Sequence, residues 1–339
     1  MGLLEDFQKG SYQLIKCVLQ FLKEFKGLKF NYINRRIGEG FAINEVYLIE
    51  GARTAFTGFG GSLAAVNAED LGAFTAIEAL KRAQVEASSI DHVIYGNVIH
   101  SYKNAAYLSR HIGLKTGIPQ EVPAYTVNRL CGSGLQAVVS AGQHILLGVA
   151  DLILAGGAEN MSMSPYSNFQ ARLGSIKYGP LSFEDMLLST LTDDYAGSGM
   201  GMTAEKLADQ YQLSREEQDA YSLLSQQRAA AARKNGTFAK ELVAVEVSGR
   251  KGSMLVSVDE HIREDITLEA LSALQPSFKK DGSVTPGNAS GINDGAASVV
   301  VASERAVQEK GLKPLVKIVS WGVAGGDPTI MGIGPVPAI

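Results

Sequence analysis

The stretch VNRLCGSGLQAVVSAGQHILLG, from Val127 to Gly148, decides the fold and holds the first candidate for chemistry. The segment that leads into it, 124–127, is short, β-branched and aromatic, which predicts a buried strand. From Gly134 onward the apolar residues recur at helical spacing and form one face, namely Leu135, Val138, Val139, Gly142, Ile145 and Leu146. Residues 151–155 are strand-like again. The order strand, helix, strand predicts a βαβ unit whose two strands run parallel.

Cys131 lies where the first of these strands gives way to the helix. Unpaired backbone N–H groups and the positive end of the helix dipole favour an anion there, and therefore a nucleophilic thiolate. The Gly132-Ser133-Gly134 run leaves space around the sulfur for a substrate carbonyl. A lone cysteine in an apolar neighbourhood is more often a small core residue, so residue type alone leaves both interpretations open.

Two motifs around Cys131 carry a family resemblance. The run NRLCGSGLQAV, followed by GGAENMS from Gly156 to Ser162 and by Pro165-Tyr166, resembles the nucleophile segment of the thiolases, which are acetyl-CoA C-acetyltransferases and 3-ketoacyl-CoA thiolases. The resemblance extends over about residues 44–339. It implies acyl transfer between acyl-CoA and coenzyme A through an acyl-cysteine at Cys131. Coenzyme A and acyl-CoA would then be substrates, with no permanently bound cofactor and no metal.

The resemblance also implies an architecture: an α/β, thiolase-like, layered αβαβα fold with an inserted loop domain and an incomplete second half. Residues 43–163 plus 291–312 would form the N-terminal thiolase domain, and 164–290 the loop domain that holds coenzyme A. Residues 313–339 would begin a truncated C-terminal domain. Residues 1–42 match no family segment, and their apolar spacing predicts an amphipathic helix in a non-family extension.

The alternation of strands and helices predicts a mostly parallel sheet covered on both faces. Asn67 is the expected cap of an early helix, and Ser214 with Glu217 forms a capping box for a later one. The glycine-rich and serine-rich stretch 161–201 shows weak periodicity and predicts an irregular excursion from the sheet.

Several residues outside the nucleophile motif are assigned by the resemblance alone. In the segment GNASGIND, Ser290 and Ala289 would contact the pantetheine arm, and Arg263 in HIRED would lie near the adenine end. Four apolar residues fall where thiolases line the tunnel for the acyl group and pantetheine: Phe278, Leu191, Met200 and Met331. Core packing is the alternative for the apolar residues, and a solvated charge is the alternative for Arg263.

The composition of the chain bears on the number of domains, on nucleic-acid or membrane partners, and on the cellular compartment. A chain of 339 residues predicts about two domains, and 45% hydrophobic against 19% charged residues is typical of a well-buried globular protein. The net charge of −4, without a basic stripe, argues against a nucleic-acid partner, and no apolar run reaches the length of about 18 residues that a membrane span needs.

The two cysteines, Cys17 and Cys131, offer no disulfide framework, so we expect a cytoplasmic protein. The family also suggests a homodimer or homotetramer.

Other family motifs do not occur in the sequence: Asn-Glu-Ala-Phe, Gly-His-Pro and Cys-x-Gly-Gly-Gly. Since a general acid–base group contributes roughly 10²- to 10⁴-fold to a rate, we expect weak or absent turnover from residues 1–339. Two alternatives stay open. One is another condensing enzyme of the same superfamily, such as a ketoacyl-carrier-protein synthase or hydroxymethylglutaryl-CoA synthase. The other is a non-catalytic, thiolase-like binding or assembly module.

Overall fold

The structure is a computed structural model, and it describes residues 45–174, 177–249 and 252–339. The amphipathic helix and the extension predicted for residues 1–42 lie outside these described residues. In the described ranges the strands are β1 (Val46–Arg53), β2 (Thr57–Gly58), β3 (His92–Gly96), β4 (Ala124–Val127), β5 (Leu152–Asn160), β6 (Tyr166–Ser167), β7 (Glu184–Asp185), β8 (Thr192–Asp193), β9 (Ser198–Gly199), β10 (Val245–Gly249), β11 (Gly252–Val256), β12 (Asn293–Ser303) and β13 (Val316–Ile318).

The α-helices of the same ranges are α1 (Ala68–Ala83), α2 (Leu108–Lys115), α3 (Ser133–Leu146), α4 (Met186–Thr190), α5 (Met200–Tyr211), α6 (Arg215–Lys234), α7 (Leu268–Ser272) and α8 (Glu304–Lys310). The capping box of α6 is confirmed, because the Ser214 hydroxyl accepts the Glu217 N–H and the Glu217 carboxylate accepts the Ser214 N–H. The prediction for α1 is only half right: Asn67 precedes the helix, but its side chain makes no capping hydrogen bond.

The main sheet has the strand order β13-β1-β12-β5-β3-β4, with β2 paired to β12. Both strands of the predicted βαβ unit, β4 and β5, lie parallel to β3, which sits between them. The prediction of a mostly parallel sheet is wrong, because β12 runs antiparallel to both of its long neighbours, β1 and β5, and β13 runs antiparallel to β1. A late, almost wholly buried strand therefore fills the centre of a mixed sheet.

Helices cover both faces of this sheet, so the described residues form three layers. On one face of the sheet, α1 and α2 pack apolar side chains such as Leu71, Leu80 and Ile112. These side chains contact every second residue of the strands, for example Leu154 and Val300. On the other face, α3 packs Ala137, Ala141 and Ile145 against Ile94, Ile153 and Val301. The alternation along each strand thus divides the core into two apolar clusters.

The single apolar face predicted for α3 is a second correction. The side of α3 that faces the sheet is made of small residues, Ala137, Ser140 and Ala141, together with Ile145. Leu135, which the periodicity placed on the packed face, is 72% exposed, and Leu146 is exposed as well. Because α3 is apolar on more than one side, periodicity alone could not identify the side that packs on the sheet.

Between β5 and β12 the chain leaves the main sheet, as predicted for 161–201, and forms short two-stranded sheets and the helices α4 to α7. Within this excursion β10 pairs antiparallel with β11. In the described residues no helix combines the length and the apolar character that crossing a bilayer requires. The domain boundaries predicted from the sequence stay predictions.

Candidate active site

A turn of five residues joins β4 to α3 and presents Cys131. Side chains fix this turn from both ends: the Asn128 carbonyl oxygen accepts the Leu130 N–H at 2.9 Å, and the Ser133 hydroxyl accepts the Arg129 N–H at 2.8 Å. The same hydroxyl donates to the Leu130 carbonyl at 2.6 Å. Leu130 has a φ of +46°, a conformation that costs energy for a non-glycine residue and clusters at functional sites.

Cys131 follows this strained residue and is a free, exposed thiol one position before the N-cap of α3. Glycines let the helix approach the sheet at this point. A Cβ built on Gly96 would lie 2.4 Å from the Ser133 carbonyl carbon, and one on Gly157 would lie 3.2 Å from the Gly134 Cα. The close approach places the start of α3, and with it Cys131, directly over the ends of β3 and β5.

The thiol borders a cavity of about 620 Å³ with a mostly apolar wall. Leu191 and Met200, two of the tunnel residues expected from the resemblance, line this cavity together with Cys131. The Met200 N–H donates to the Leu191 carbonyl at 2.9 Å, so the end of α4 and the start of α5 form one piece of wall. The structure therefore brings three sequence-predicted residues to one apolar space, which suits an acyl chain better than a charged ligand.

Glu159 is a titratable group in the wall of the same cavity, and sequence patterns alone do not single it out. Burial disfavours its ionised form and raises the pKa of this carboxyl, although hydrogen bonds from two backbone N–H groups and an asparagine amide oppose that effect. One feature of the sequence could have identified Glu159 as a candidate. It lies inside GGAENMS, where an acidic residue follows a run of small apolar residues at the end of a strand.

A second cavity, of about 820 Å³, contains the residues assigned to the coenzyme: Ser290, Ala289 and Arg263. Its other cationic side chain, Arg53, is held by Asp259 and Glu241. The guanidinium of Arg263 makes no hydrogen bond or ion pair with any described residue, so its charge is available to a ligand in this cavity.

The loop that presents Ser290 is fixed by buried polar groups. Asn288 accepts the Thr285 N–H at 2.8 Å and donates to the Asp219 carboxylate at 2.9 Å. Asp219, on α6, is 1% exposed and is paired with Arg215 at 2.7 Å. A buried carboxylate thus joins the serine loop to α6, which borders the same cavity.

The backbone that carries Arg263 is held by Gln226 of α6, another residue that the sequence did not single out. The Gln226 carbonyl oxygen accepts the Arg263 N–H at 2.8 Å, and its amide donates to the His261 carbonyl at 3.4 Å. One side chain therefore fixes the backbone at two positions of the segment 261–263, which lies in the wall of this cavity.

Phe56 belongs to the walls of both cavities. Its ring lies against the backbone of Gly295, where a Cβ would come within 2.5 Å of Phe56 Cδ1, and under the guanidinium of Arg53 at 5.0 Å. The ring therefore marks the junction at which a ligand could pass from the cavity of Ser290 and Arg263 to the thiol.

Two of the predicted tunnel residues lie away from these spaces. Phe278 packs its ring against Gly201 of α5, and Met331 belongs to the 3₁₀-helix Pro328–Ile333; neither lines either cavity. The described parts of the chain contain no group of three or more His, Cys, Asp or Glu side chains that could hold a metal ion.

Comparisons with known proteins agree with this arrangement. A family model described as "Thiolase, N-terminal domain" matches residues 46–305. The mitochondrial 3-ketoacyl-CoA thiolase of Mus musculus is 50% identical over 295 residues, which cover 87% of this chain and 74% of the mouse protein. The beta-ketothiolase BktB of Cupriavidus necator is 48% identical, covering 87% of this chain and 75% of that protein.

Solved structures give the same result. Human mitochondrial 3-ketoacyl-CoA thiolase, whose structure has also been solved in complex with CoA, matches with a TM-score of 0.85 at 47% identity, over 87% of this chain and 75% of that one. An acetyl-CoA acetyltransferase from Bacillus anthracis matches with a TM-score of 0.84 at 43% identity, over 88% of this chain and 75% of that one. The α/β chain described here belongs to the thiolase family.

Proposed function

We propose that this protein transfers acyl groups between acyl-CoA and coenzyme A, with Cys131 as the carrier. The Cys131 thiolate attacks the thioester carbonyl carbon, an S–C bond to the enzyme forms, and the bond from carbon to the coenzyme sulfur breaks. Coenzyme A leaves and takes up a proton. With a 3-ketoacyl-CoA the thiolate attacks the 3-keto carbon instead, the bond between C2 and C3 breaks, and acetyl-CoA leaves as an enolate that takes up the proton given up by the Cys131 thiol. In the second half a coenzyme A thiol loses its proton and attacks the acyl-cysteine, the bond from the acyl carbon to the Cys131 sulfur breaks, and the Cys131 sulfur takes up that proton.

The observation that carries this proposal is the pair of adjoining cavities. An exposed thiol at a helix start borders an apolar cavity. A second, more polar cavity shares Phe56 with it and contains the Arg263 guanidinium, which has no partner among the described residues. An acyl-CoA has the matching parts in the matching order: an apolar acyl group, a thioester, a thin pantetheine arm and an anionic nucleotide. Ser290 and Ala289 would contact the arm, Arg263 the nucleotide, and Leu191 with Met200 the acyl group. Roles for Phe278 and Met331 stay predictions.

Trapping the acyl-enzyme tests the proposal directly. Purified protein is mixed with acetyl-CoA, quenched in acid and digested, and the peptide that contains Cys131 is weighed. We expect one acetyl group on that peptide, none after Cys131→Ser, and an unchanged yield after Cys17→Ser. Binding of coenzyme A without acetylation of Cys131 would favour the non-catalytic module instead. The expected weak turnover of residues 1–339 is checked in the same preparation by following the loss of acetoacetyl-CoA.

We also propose that the protein is a homodimer. Among the described residues β4 pairs with β3 alone, so its outer edge offers unpaired backbone groups, and an edge strand of this kind is a common site of pairing with another chain. Light scattering during gel filtration distinguishes a dimer from a monomer or tetramer. A Tyr125→Pro variant, which disrupts this edge, is expected to shift the species toward monomer.

For the compartment we propose the reducing cytoplasm, on the basis of two cysteines with no disulfide framework. The mouse and human relatives carry "mitochondrial" in their names, so the mitochondrial matrix is the competing location. Cell fractionation with an antibody to this chain decides between the two.

A further inference from the structure

We propose that Glu159 is a positioning residue for the Cys131 thiol, acting through the segment Asn97–Ile99 on which the Cys131 turn rests. This inference rests on the proposed function, because it concerns the same thiol.

Glu159 holds that segment with both carboxylate oxygens. Its Oε2 accepts the Val98 N–H at 2.8 Å, and its Oε1 accepts the Ile99 N–H at 3.1 Å and the Asn97 amide at 2.9 Å. The segment comes directly after β3 ends at Gly96, so these backbone groups have lost the ladder partners of the sheet. An unpaired N–H in a buried place is costly, and a carboxylate that accepts three donors removes that cost.

The segment in turn supports the nucleophile turn. The Asn97 N–H donates to the Val127 carbonyl at 3.2 Å, at the last residue of β4. The Asn128 amide reaches the Val98 carbonyl at 3.5 Å, and the carbonyl oxygen of the same asparagine holds the Leu130 N–H. A continuous series of hydrogen bonds therefore runs from Glu159 through Asn97–Ile99 and Asn128 to Leu130, the strained residue before Cys131.

The packing of the cavity wall also connects Glu159 to Cys131. Val98, Ile99 and Glu159 all line the thiol cavity beside Cys131. Ile99 and Asn97 are almost fully buried, so they have little room to adjust if the carboxylate changes. A shift of the segment would move the cavity wall and the turn together, and a misplacement of about 1 Å at a reacting group can lower a rate by up to about 100-fold.

The chain contains a matched control. Asp91 accepts the N–H groups of Asp151 and Leu152 at 2.8 and 2.9 Å, at the opposite end of β5 from Glu159. Its carboxyl, like that of Glu159, has a pKa raised by burial. Glu159→Gln and Asp91→Asn are therefore comparable changes, each replacing a partly buried carboxylate that accepts two backbone N–H groups by an amide, but Asp91 is remote from the thiol.

The test is made in a Cys17→Ser background, where Cys131 is the sole thiol. The rate of acetyl-Cys131 formation from acetyl-CoA, the rate of alkylation by iodoacetamide at pH 7 and the thermal midpoint are measured for each variant. For Glu159→Gln we expect acetylation to fall by about 10- to 100-fold. Alkylation should fall by about 2- to 5-fold, because a displaced thiol loses part of the helix field. For Asp91→Asn both rates should equal those of the parent even where the thermal midpoint falls.

Equal rates in parent and Glu159→Gln would overturn the inference, and so would the same loss in both variants. If the parent forms no acetyl-Cys131, the proposed function fails, while the alkylation rates still decide the role of Glu159. Asn128→Ala, which breaks the other end of the series, supplies a second variant in case Glu159→Gln does not fold. It should lower the same two rates, and the double variant should be no slower than the slower single one. Fully additive losses would contradict the connection.

Discussion

Arg53 and Asp259 lie 206 positions apart in the chain and form a bidentate ion pair, with Nη1–Oδ1 at 2.7 Å and Nη2–Oδ2 at 3.0 Å. The guanidinium lies between the rings of Phe56 and Phe238, at 5.0 and 5.4 Å from their centroids. Burial opposes ionisation of Asp259, but the hydrogen bonds from Arg53 and from the Phe56 N–H outweigh it and hold the pKa of this carboxyl below its ordinary value. The pair thus ties the end of β1 to the segment that carries Arg263.

Asp259→Ala should therefore destabilise the fold strongly. It leaves the Arg53 guanidinium, whose side chain is 12% exposed, with the half-exposed Glu241 as its remaining counter-charge, so the loss should approach the roughly 3–5 kcal/mol that breaking a buried pair costs. Urea unfolding measures this loss. As the control, Asp209→Ala removes a solvent-exposed pair with Lys279 and should change the free energy of unfolding by less than about 1 kcal/mol. Similar losses in both variants would show that the Arg53–Asp259 pair is not a structural anchor.

Phe56→Ala should weaken the binding of a ligand, such as coenzyme A, that extends from one cavity into the other. The ring borders both, and its loss removes an aromatic contact of about 1–1.5 kcal/mol from any arm that crosses it, which corresponds to about a 10-fold change in affinity. The measurement is protection of Cys131 against iodoacetamide by coenzyme A, and the half-protecting concentration should rise by about 10-fold. Phe59→Ala is the control, since Phe59 is exposed and lines neither cavity. An unchanged protection curve for Phe56→Ala would exclude Phe56 from the path of the ligand.

The position of Cys131 between a strand and a helix could be predicted because it depends on local features, while its role as the nucleophile stays a prediction. The change from strand to helix between Val127 and Ser133, and the small residues 132–134 that follow Cys131, are properties of adjacent positions. The capping box of α6 was predicted for the same reason. Of the residues assigned by the resemblance, Ser290 and Arg263 line one cavity and Leu191 and Met200 line the other, and their roles stay predictions.

The remaining features depend on residues that are far apart in the chain. The central place of β12 follows from its antiparallel pairing with β5, which no periodicity of residues 293–303 reveals. Glu159 acts on backbone groups 60 residues earlier, and Asp259 acts on Arg53. Asn67 shows that a local pattern can also mislead. Asparagine favours the N-cap and Asn67 occupies that position, but its side chain makes no capping hydrogen bond.

Gly96 is expected to be essential for placing Cys131. A Cβ at Gly96 would lie 2.4 Å from the Ser133 carbonyl carbon and 2.6 Å from the Gly134 nitrogen, so Gly96→Ala must push the start of α3 away from β3. We expect a loss of stability of about 1–3 kcal/mol, typical of overpacking, and a loss of acetyl-Cys131 formation. Gly113→Ala on α2 is the control, because its Cβ would meet only the Val93 side chain, at 3.3 Å or more. Acetylation by Gly96→Ala at the parent rate would contradict this assignment.

His92 makes stability depend on pH. It is buried on β3, its ring lies 4.9 Å from that of His144 and 5.4 Å from that of Tyr125, and its Nδ1 has no hydrogen-bond partner among the described residues. Burial, and then the charge of His144, lower the pKa of His92 below the ordinary value of 6.5, although the neighbouring Asp91 acts in the opposite direction. The unfolded chain therefore binds this proton more readily than the folded one. The contribution of His92 to stability is complete above pH 6.5 and is lost as the pH falls from 6.5 through the lowered value.

His92→Phe removes the titrating group but keeps a ring between Tyr125 and His144. The free energy of unfolding, measured in urea between pH 5 and pH 7.5, should fall less steeply with acid in this variant than in the parent. The difference cannot exceed about 1.4 kcal/mol per pH unit, the value for one proton. His100→Phe changes an exposed histidine and should leave the slope as it is in the parent. Parallel curves for parent and His92→Phe would show that His92 does not control the loss of stability in acid. Asp91→Asn can then be measured over the same range, where the raised pKa of Asp91 predicts the opposite sign, with stability from this group lost as the pH rises.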